Sequence, residues 1–83
     1  MENQNLSRQV AILADVDSEL TRAMGMHPPQ RTAHESYAVI LEEVDEFWEE
    51  VRKRNCDRDK DAMREELIQI AAMAVRAIHD LGL

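Results

Sequence analysis

Apolar residues recur at helical spacing along nearly the whole chain, and only two short segments interrupt this pattern. The first is residues 25–29, where paired prolines cannot continue a helix. The second and weaker interruption is residues 55–57. The chain has only two glycines and two prolines, which is too little turn chemistry for a many-stranded β domain. The pattern therefore predicts three helices in a single domain that covers residues 1–83.

Capping residues define where the longer helices begin. The first helix is predicted over residues 5–24 and is expected to be the short one. The second opens with Thr32-Ala33-His34-Glu35, a capping box that satisfies two backbone N–H groups reciprocally. The third begins near Asp57 or Asp59, either of which could be the N-cap, and reaches about residue 80. We expect an all-α protomer with a short first helix and two long antiparallel helices.

Charge and composition exclude several classes of protein. The chain has 17 acidic and 10 basic residues and a net charge of −7, so it lacks the basic stripe that binds nucleic acid. Its apolar content of 45% is too high for a disordered acidic chain. The sequence contains no membrane-spanning run and no signal-peptide pattern, and its single cysteine, Cys56, excludes an internal disulfide. We expect a cytoplasmic protein without a membrane or nucleic-acid partner.

Each predicted helix carries a broad apolar stripe. The stripe on the second helix includes Tyr37 and Trp48, which are expected to lie in the core rather than to stack on a base. The stripe on the first helix is Leu6, Val10, Leu13, Leu20 and Met24, widened on one side by Ile12 and Val16. On the third helix the apolar arc covers about half the circumference, more than three helices of this size can bury. This predicts a homo-oligomer, dimer or tetramer, in which helices two and three meet those of a partner in a bundle. A loosely packed monomer is the alternative.

Acidic side chains lie at the margins of the apolar faces. At about 100° per residue, Glu43 and Glu46 lie one turn apart beside the buried face of the second helix. Glu66 occupies the corresponding margin of the third helix, with Gln69 one turn further along. Packed helices would bring these margins together, and carboxylates that share a partly dry place favour a cation between them. Mg²⁺ suits such oxygen ligands. The alternative interpretation is a solvated acidic face.

The order of these motifs resembles that of the MazG-like all-α nucleoside triphosphate pyrophosphohydrolases. The motifs read Glu42-Glu43-Val44-Asp45-Glu46 and, about twenty residues later, Glu65-Glu66-Leu67-Ile68-Gln69. The resemblance covers residues 34–81 and implies hydrolysis of a nucleoside triphosphate between its α and β phosphates, with Mg²⁺, or Mn²⁺, as cofactor. A catalytically silent helical dimer that serves as a binding or regulatory module is the alternative.

The resemblance also implies a set of site residues. Glu43 and Glu46 match the family's E-x-x-E pair, and Glu66 matches the first member of its E-x-x-D pair. These three are the candidate catalytic residues and, with Gln69, the candidate metal ligands. Gln69 stands where the family has Asp, which removes one negative charge from the site. A spare carboxylate beside the metal, Glu42 or Glu50, could act as general base.

Candidate contacts with a nucleotide substrate come from scattered polar residues. His34 lies in the first turn of the second helix, and Lys53 and Arg58 belong to a basic cluster around the second break. Arg76 follows Glu66 by two to three turns on a similar side of the third helix. The basic residues could form a rim that meets the triphosphate. Alternatively, they compensate the helix dipole and solvate the surface.

Overall fold

The computed structural model describes residues 2–83, with side chains from Leu6 onward. Three helices follow one another along the chain: α1 spans Glu2–Met26, α2 spans Ala33–Val51, and α3 spans Lys60–Leu81. A short 3-10 helix, Asn55–Asp57, lies in the connection between α2 and α3. Strands are absent from this part of the chain, so the predicted all-α, three-helix protomer is confirmed. None of the described helices has the length and apolar character needed to cross a membrane.

The first helix is longer than predicted. With 25 residues, α1 exceeds α2 at 19 and α3 at 22, so the expectation of a short first helix is wrong. Gly25 does not end it, because a single glycine is tolerated within a helix at a cost of about 1 kcal/mol. The helix ends at Met26, two residues before Pro28, since a proline disfavours the helical conformation of the residue before it.

The starts of α2 and α3 follow the predicted capping chemistry. Thr32 is the N-cap of α2, and its hydroxyl accepts a hydrogen bond from the backbone N–H of Glu35 at 3.0 Å. Asp59, rather than Asp57, is the N-cap of α3, and its Oδ1 accepts from the N–H groups of the second and third residues after it. At the other end of α3, Gly82 adopts φ 68°, a left-handed conformation that glycine takes without strain. These local signals fix where the helices begin and end.

The central element of the protomer is α3. It packs against both α1 and α2, whereas α1 and α2 do not pack against each other within the described residues. The core is correspondingly small. Val16 and Ala23 of α1 meet Ala72 and Met73 of α3, and no large side chain among those described is completely buried. Because α1 and α2 have only α3 as a helical neighbour, each buries one narrow strip of its surface.

This arrangement leaves the predicted apolar stripes largely uncovered. Tyr37 is 67% exposed and Trp48 56% exposed, so the expectation that they lie in the core does not hold within the protomer. On α1 the buried strip runs through Val16 and Ala23, while most of the predicted stripe is exposed: Leu6, Val10, Leu13 and Met24. The periodicity predicted which residues form the apolar stripes. It did not predict which side of each stripe α3 covers.

A buried ionic cluster ties the loop between α1 and α2 to the end of α3. Arg76 is only 3% exposed and donates to the Asp80 carboxylate at 2.9 Å and to the carbonyls of Ala23 and His27 at 3.0 and 2.9 Å. The backbone N–H of Gln30 donates to the same Asp80 carboxylate at 2.9 Å. Every polar group of this cluster therefore has a partner, which holds the loop in one place beside α2.

Candidate metal centre

Three carboxylates from two helices converge at the interface between α2 and α3. Glu43 and Glu46 lie one turn apart on α2, and Glu66 faces them from α3. One carboxylate oxygen from each lies within 4.8 Å of the others. Glu43 and Glu66 are half-buried and Glu46 is exposed. The cluster therefore has a dry side against the helix interface and an open side toward solvent.

Two oxygens of this cluster lack any partner. Oε2 of Glu43 and Oε2 of Glu66 are shielded from solvent and receive no hydrogen bond. Buried polar atoms in folded proteins nearly always have a partner, because leaving one unpaired costs about 1–3 kcal/mol. The unpaired oxygens therefore favour the binding of a lone-pair acceptor, a proton or a cation, at this cluster.

Burial and mutual repulsion change the proton affinity of these acids. Burial, together with the charge and a hydrogen bond of Glu46 and the charge of Glu66, raises the pKa of Glu43 to about 7. Burial and the same Glu46 carboxylate raise the pKa of Glu66. Such a cluster binds either protons or a cation, since only these neutralise the repulsion. Three oxygen donors of this kind, open to water on one side, fit a hard divalent cation such as Mg²⁺.

The remaining predicted ligand, Gln69, lies on α3 one turn after Glu66 and is half-buried. Its neutral amide carries a carbonyl oxygen, which hard cations also accept as a ligand. The formal charge at the site is therefore set by the three carboxylates alone.

The predicted basic rim is engaged in contacts within the protomer. Lys53 pairs with Glu50 at 3.0 Å, and Arg58 donates to the Val51 carbonyl at 2.9 Å, near the end of α2. Arg76 is held in the buried ionic cluster. His34 is exposed in the first turn of α2, beside a shallow depression that it lines with Ala33 and Tyr37. None of these four side chains is recorded in contact with the carboxylates.

A cavity of about 340 Å³ adjoins the carboxylates on the side of the α1–α2 loop. Its wall contains Glu43 itself, the apolar side chains of Pro28, Val39 and Met73, and the amide of Gln30. The predicted substrate contact Arg76 also lines it, and the remaining wall residues are His27, Glu35 and Glu42. Gln30 is only 5% exposed. Its Oε1 accepts from the Ser36 hydroxyl, whereas its Nε2 has only the sulfur of Met73 as an acceptor, at 3.9 Å. One amide N–H of the cavity wall is thus free to bind a stronger acceptor.

Sequence reasoning missed Gln30 and its loop. The only available signal was position: the loop follows two prolines and immediately precedes the capping box of α2, where a helix start often borders a site. Arg22 on α1 was missed as well. Its guanidinium pairs with Glu19 at 2.6 Å, and the charges of Glu43 and Glu65 contribute to raising its pKa. The positive charge of Arg22 therefore interacts with the negative charge of the carboxylate cluster.

Comparison of the chain with models of protein families, with curated proteins and with solved structures finds no match. The family resemblance of the two motifs stays a prediction, and the geometry of the site is the remaining basis for a function.

Proposed function

We propose that the protein is a Mg²⁺-dependent nucleoside triphosphate pyrophosphohydrolase of the MazG-like type, which works as a cytoplasmic homo-oligomer. One observation carries this proposal: carboxylates of Glu43, Glu46 and Glu66 come together from two helices and leave two shielded oxygens without partners. The order and spacing of the two acidic motifs support the same assignment.

The three carboxylates would hold the cation, with the Gln69 carbonyl as a further oxygen ligand. When bound, Mg²⁺, or Mn²⁺ in its place, neutralises phosphate charge and lowers the pKa of a coordinated water molecule. Phosphoryl transfer asks the protein mainly for positioning and charge neutralisation. A cation site of this kind also explains how a chain of net charge −7 binds a triphosphate.

The cavity beside Glu43 supports a substrate with an organic part as well as phosphates. Its volume of about 340 Å³ lies at the lower end of the range for small-molecule sites. Apolar walls of Pro28, Val39 and Met73 would cover the faces of a base, and the free N–H of Gln30 would donate to an acceptor on its edge. The nucleoside would then occupy the cavity while its phosphates extend toward the carboxylates.

Proton transfer to solvent can be assigned to one of the spare acids. Glu50 is held by Lys53 at 3.0 Å, whereas Glu42 is exposed and lines the cavity next to Glu43. Glu42 is therefore the better placed general base for a water molecule that adds to the α–β phosphoanhydride. The products would be a nucleoside monophosphate and pyrophosphate.

Release of pyrophosphate from ribo- and deoxyribonucleoside triphosphates tests the proposal. Glu46→Gln should abolish Mg²⁺-dependent release while leaving helicity intact. Asp17→Asn is the matched control, because it removes the same charge from an exposed residue of α1 outside the cluster. Equal turnover by the Glu46 variant and the wild type would refute the assignment. If neither releases pyrophosphate, recovery of activity in Gln69→Asp would show that the missing charge is the cause.

A catalytically silent helical module is the second candidate. The observation that favours it is that Lys53, Arg58 and Arg76 all make contacts within the protomer, so each would have to exchange or share a partner in order to bind a triphosphate. Such a module would show neither turnover nor the stabilisation by millimolar Mg²⁺ that a specific site confers, about 2.7 kcal/mol at a hundredfold excess over Kd. Thermal melting with and without the cation separates the two candidates.

A further inference from the structure

A second surface feature lies on the α1–α3 side of the protomer, apart from the carboxylates. It is a groove of about 520 Å³ with an apolar floor that includes Ile12, Val16 and Leu67. Three basic side chains, Arg8, Lys60 and Arg64, and one acidic side chain, Asp61, line it, so basic groups outnumber acidic ones in its wall. Arg64 pairs with Asp15 at 2.7 Å, whereas Arg8 and Lys60 form no ion pair among the residues whose side chains are described. In a chain of net charge −7, this groove selects for an acidic, amphipathic occupant.

The chain itself contains an element of that description. Helix α2 has no Lys or Arg, and it exposes an apolar stripe at i, i+4, i+7 and i+11 that is formed by Tyr37, Leu41, Val44 and Trp48. At 100° per residue, Asp45 and Glu49 flank the stripe on the side away from α3. Both acids are exposed, and Glu49 has only a loose surface pair with Arg52 at 3.6 Å.

The amount of exposed surface fits an interface between copies of the chain. The protomer exposes 6366 Å², while a folded monomer of this mass exposes about 5,100 Å². The difference of about 1,300 Å² exceeds the roughly 800 Å² that each partner buries in a stable interface of standard size. The protomer therefore exposes enough surface to form an interface of standard size with a second copy.

We propose that the groove between α1 and α3 of one copy receives α2 of a second copy, and that the second copy's groove receives α2 of the first. The i, i+4 spacing of Asp45 and Glu49 matches the i, i+4 spacing of Lys60 and Arg64, so two ion pairs form at each contact. The stripe residues Val44 and Trp48 enter the apolar floor. A two-fold axis makes the two contacts equivalent.

This inference concerns how copies associate and does not depend on whether the protein hydrolyses nucleotides. It is tested by a charge exchange in sedimentation velocity experiments. The double variant Lys60→Glu/Arg64→Glu and the double variant Asp45→Lys/Glu49→Lys should each raise the dimer Kd at least tenfold, because both contacts become repulsive. An equimolar mixture should restore association, since one contact is then native and the other has both charges exchanged.

The control carries the same change of charge elsewhere. Arg31→Glu/Arg54→Glu substitutes two exposed arginines that do not line the groove, and it should associate like the wild type. Trp48 emission, blue-shifted on association and red-shifted on dilution, reports on the contact itself. Far-UV circular dichroism confirms that each variant is folded. A wild type that is monomeric at 100 µM, or a mixture of folded variants that does not associate better than either alone, would overturn the proposal.

Discussion

Replacing Glu43 by Gln should stabilise the metal-free protein at neutral and alkaline pH, although it removes a group from the candidate metal centre. Burial, followed by the influence of Glu46 and Glu66, raises the pKa of Glu43 to about 7 from an ordinary value of 4.5. Between these two values the folded protein retains a proton that the unfolded chain has released. The free energy of unfolding therefore falls as pH rises through this window.

The size of the effect follows from the difference between the ordinary and the raised pKa of Glu43. At about 1.4 kcal/mol per pH unit, the change from 4.5 to about 7 corresponds to about 3 kcal/mol. Solvent on the open side of the cluster makes this an upper bound. A domain of this length has a total stability of roughly 4–12 kcal/mol. The charge on Glu43 therefore lowers the free energy of unfolding of the wild type by a substantial part of this total. Gln keeps the shape of the side chain and removes the charge.

Urea unfolding in the presence of a chelator, at pH values from 4.5 to 8.5, measures this difference. The two proteins should be about equally stable at pH 4.5, and the variant should become more stable as pH rises. Asp17→Asn, which changes an exposed carboxylate, should follow the wild type. Adding Mg²⁺ at neutral pH should then stabilise the wild type and leave the Glu43 variant nearly unchanged. The reasoning fails if the variant gains no stability by pH 8, or if Mg²⁺ stabilises both proteins equally.

Four further substitutions probe the fold and the cavity. Arg76→Met should destabilise the protein by about 3–5 kcal/mol in urea unfolding, because it removes the guanidinium partner of the buried Asp80 carboxylate and the donor to the Ala23 and His27 carbonyls. Hydrogen bonds from His79, from the Gln30 backbone and from Arg76 lower the pKa of Asp80 to about 2, so its contribution is intact above about pH 4 and declines toward pH 2. Acid unfolding of Asp80→Asn should therefore differ from the wild type above pH 4 and converge with it near pH 2. Gln30→Leu should raise KM about tenfold for a substrate that the wild type hydrolyses, with little change in kcat, because one N–H donor is lost. It should also lower the free energy of unfolding by about 1–3 kcal/mol, because the buried Ser36 hydroxyl loses its acceptor. Thr32→Ala should lower the unfolding free energy by about 1 kcal/mol in thermal melts, through loss of the α2 cap.

The features that sequence predicted well are the local ones. A proline pair, a capping box and an N-terminal aspartate each act within one turn of a helix, so their effect does not depend on what packs nearby. This is why Thr32 caps α2 as predicted, and why Asp59, one of the two predicted candidates, caps α3. The approach of Glu43, Glu46 and Glu66 could be foreseen for a related reason: it follows from 100° increments on two antiparallel helices that share an apolar margin.

Packing beyond a single helix could not be read from the sequence. The stripes of α1 and α2 are apolar over wider arcs than one neighbour covers, and periodicity does not say which part of the arc that neighbour takes. Trp48 is exposed and Ser36 is buried as a result. The contacts of Arg76 span 49 and 53 residues along the chain, and no local pattern identifies such partners. Arg76, which was predicted to contact substrate, holds the loop between α1 and α2 and also lines the cavity beside Glu43.

Asp80 and Glu43 are two shielded acids that differ in the number of hydrogen-bond donors around them and in the direction of their pKa shifts. Asp80 receives donors from a backbone N–H, an arginine and a histidine, and its pKa is held at about 2. Glu43 keeps an oxygen without any donor, and its pKa is raised to about 7. A fold that supplies three donors to one carboxylate is able to satisfy buried charge. The described residues supply no such donors to the shielded oxygens of Glu43 and Glu66. A proton or a cation can compensate these oxygens, and the proposed Mg²⁺ would compensate both at once.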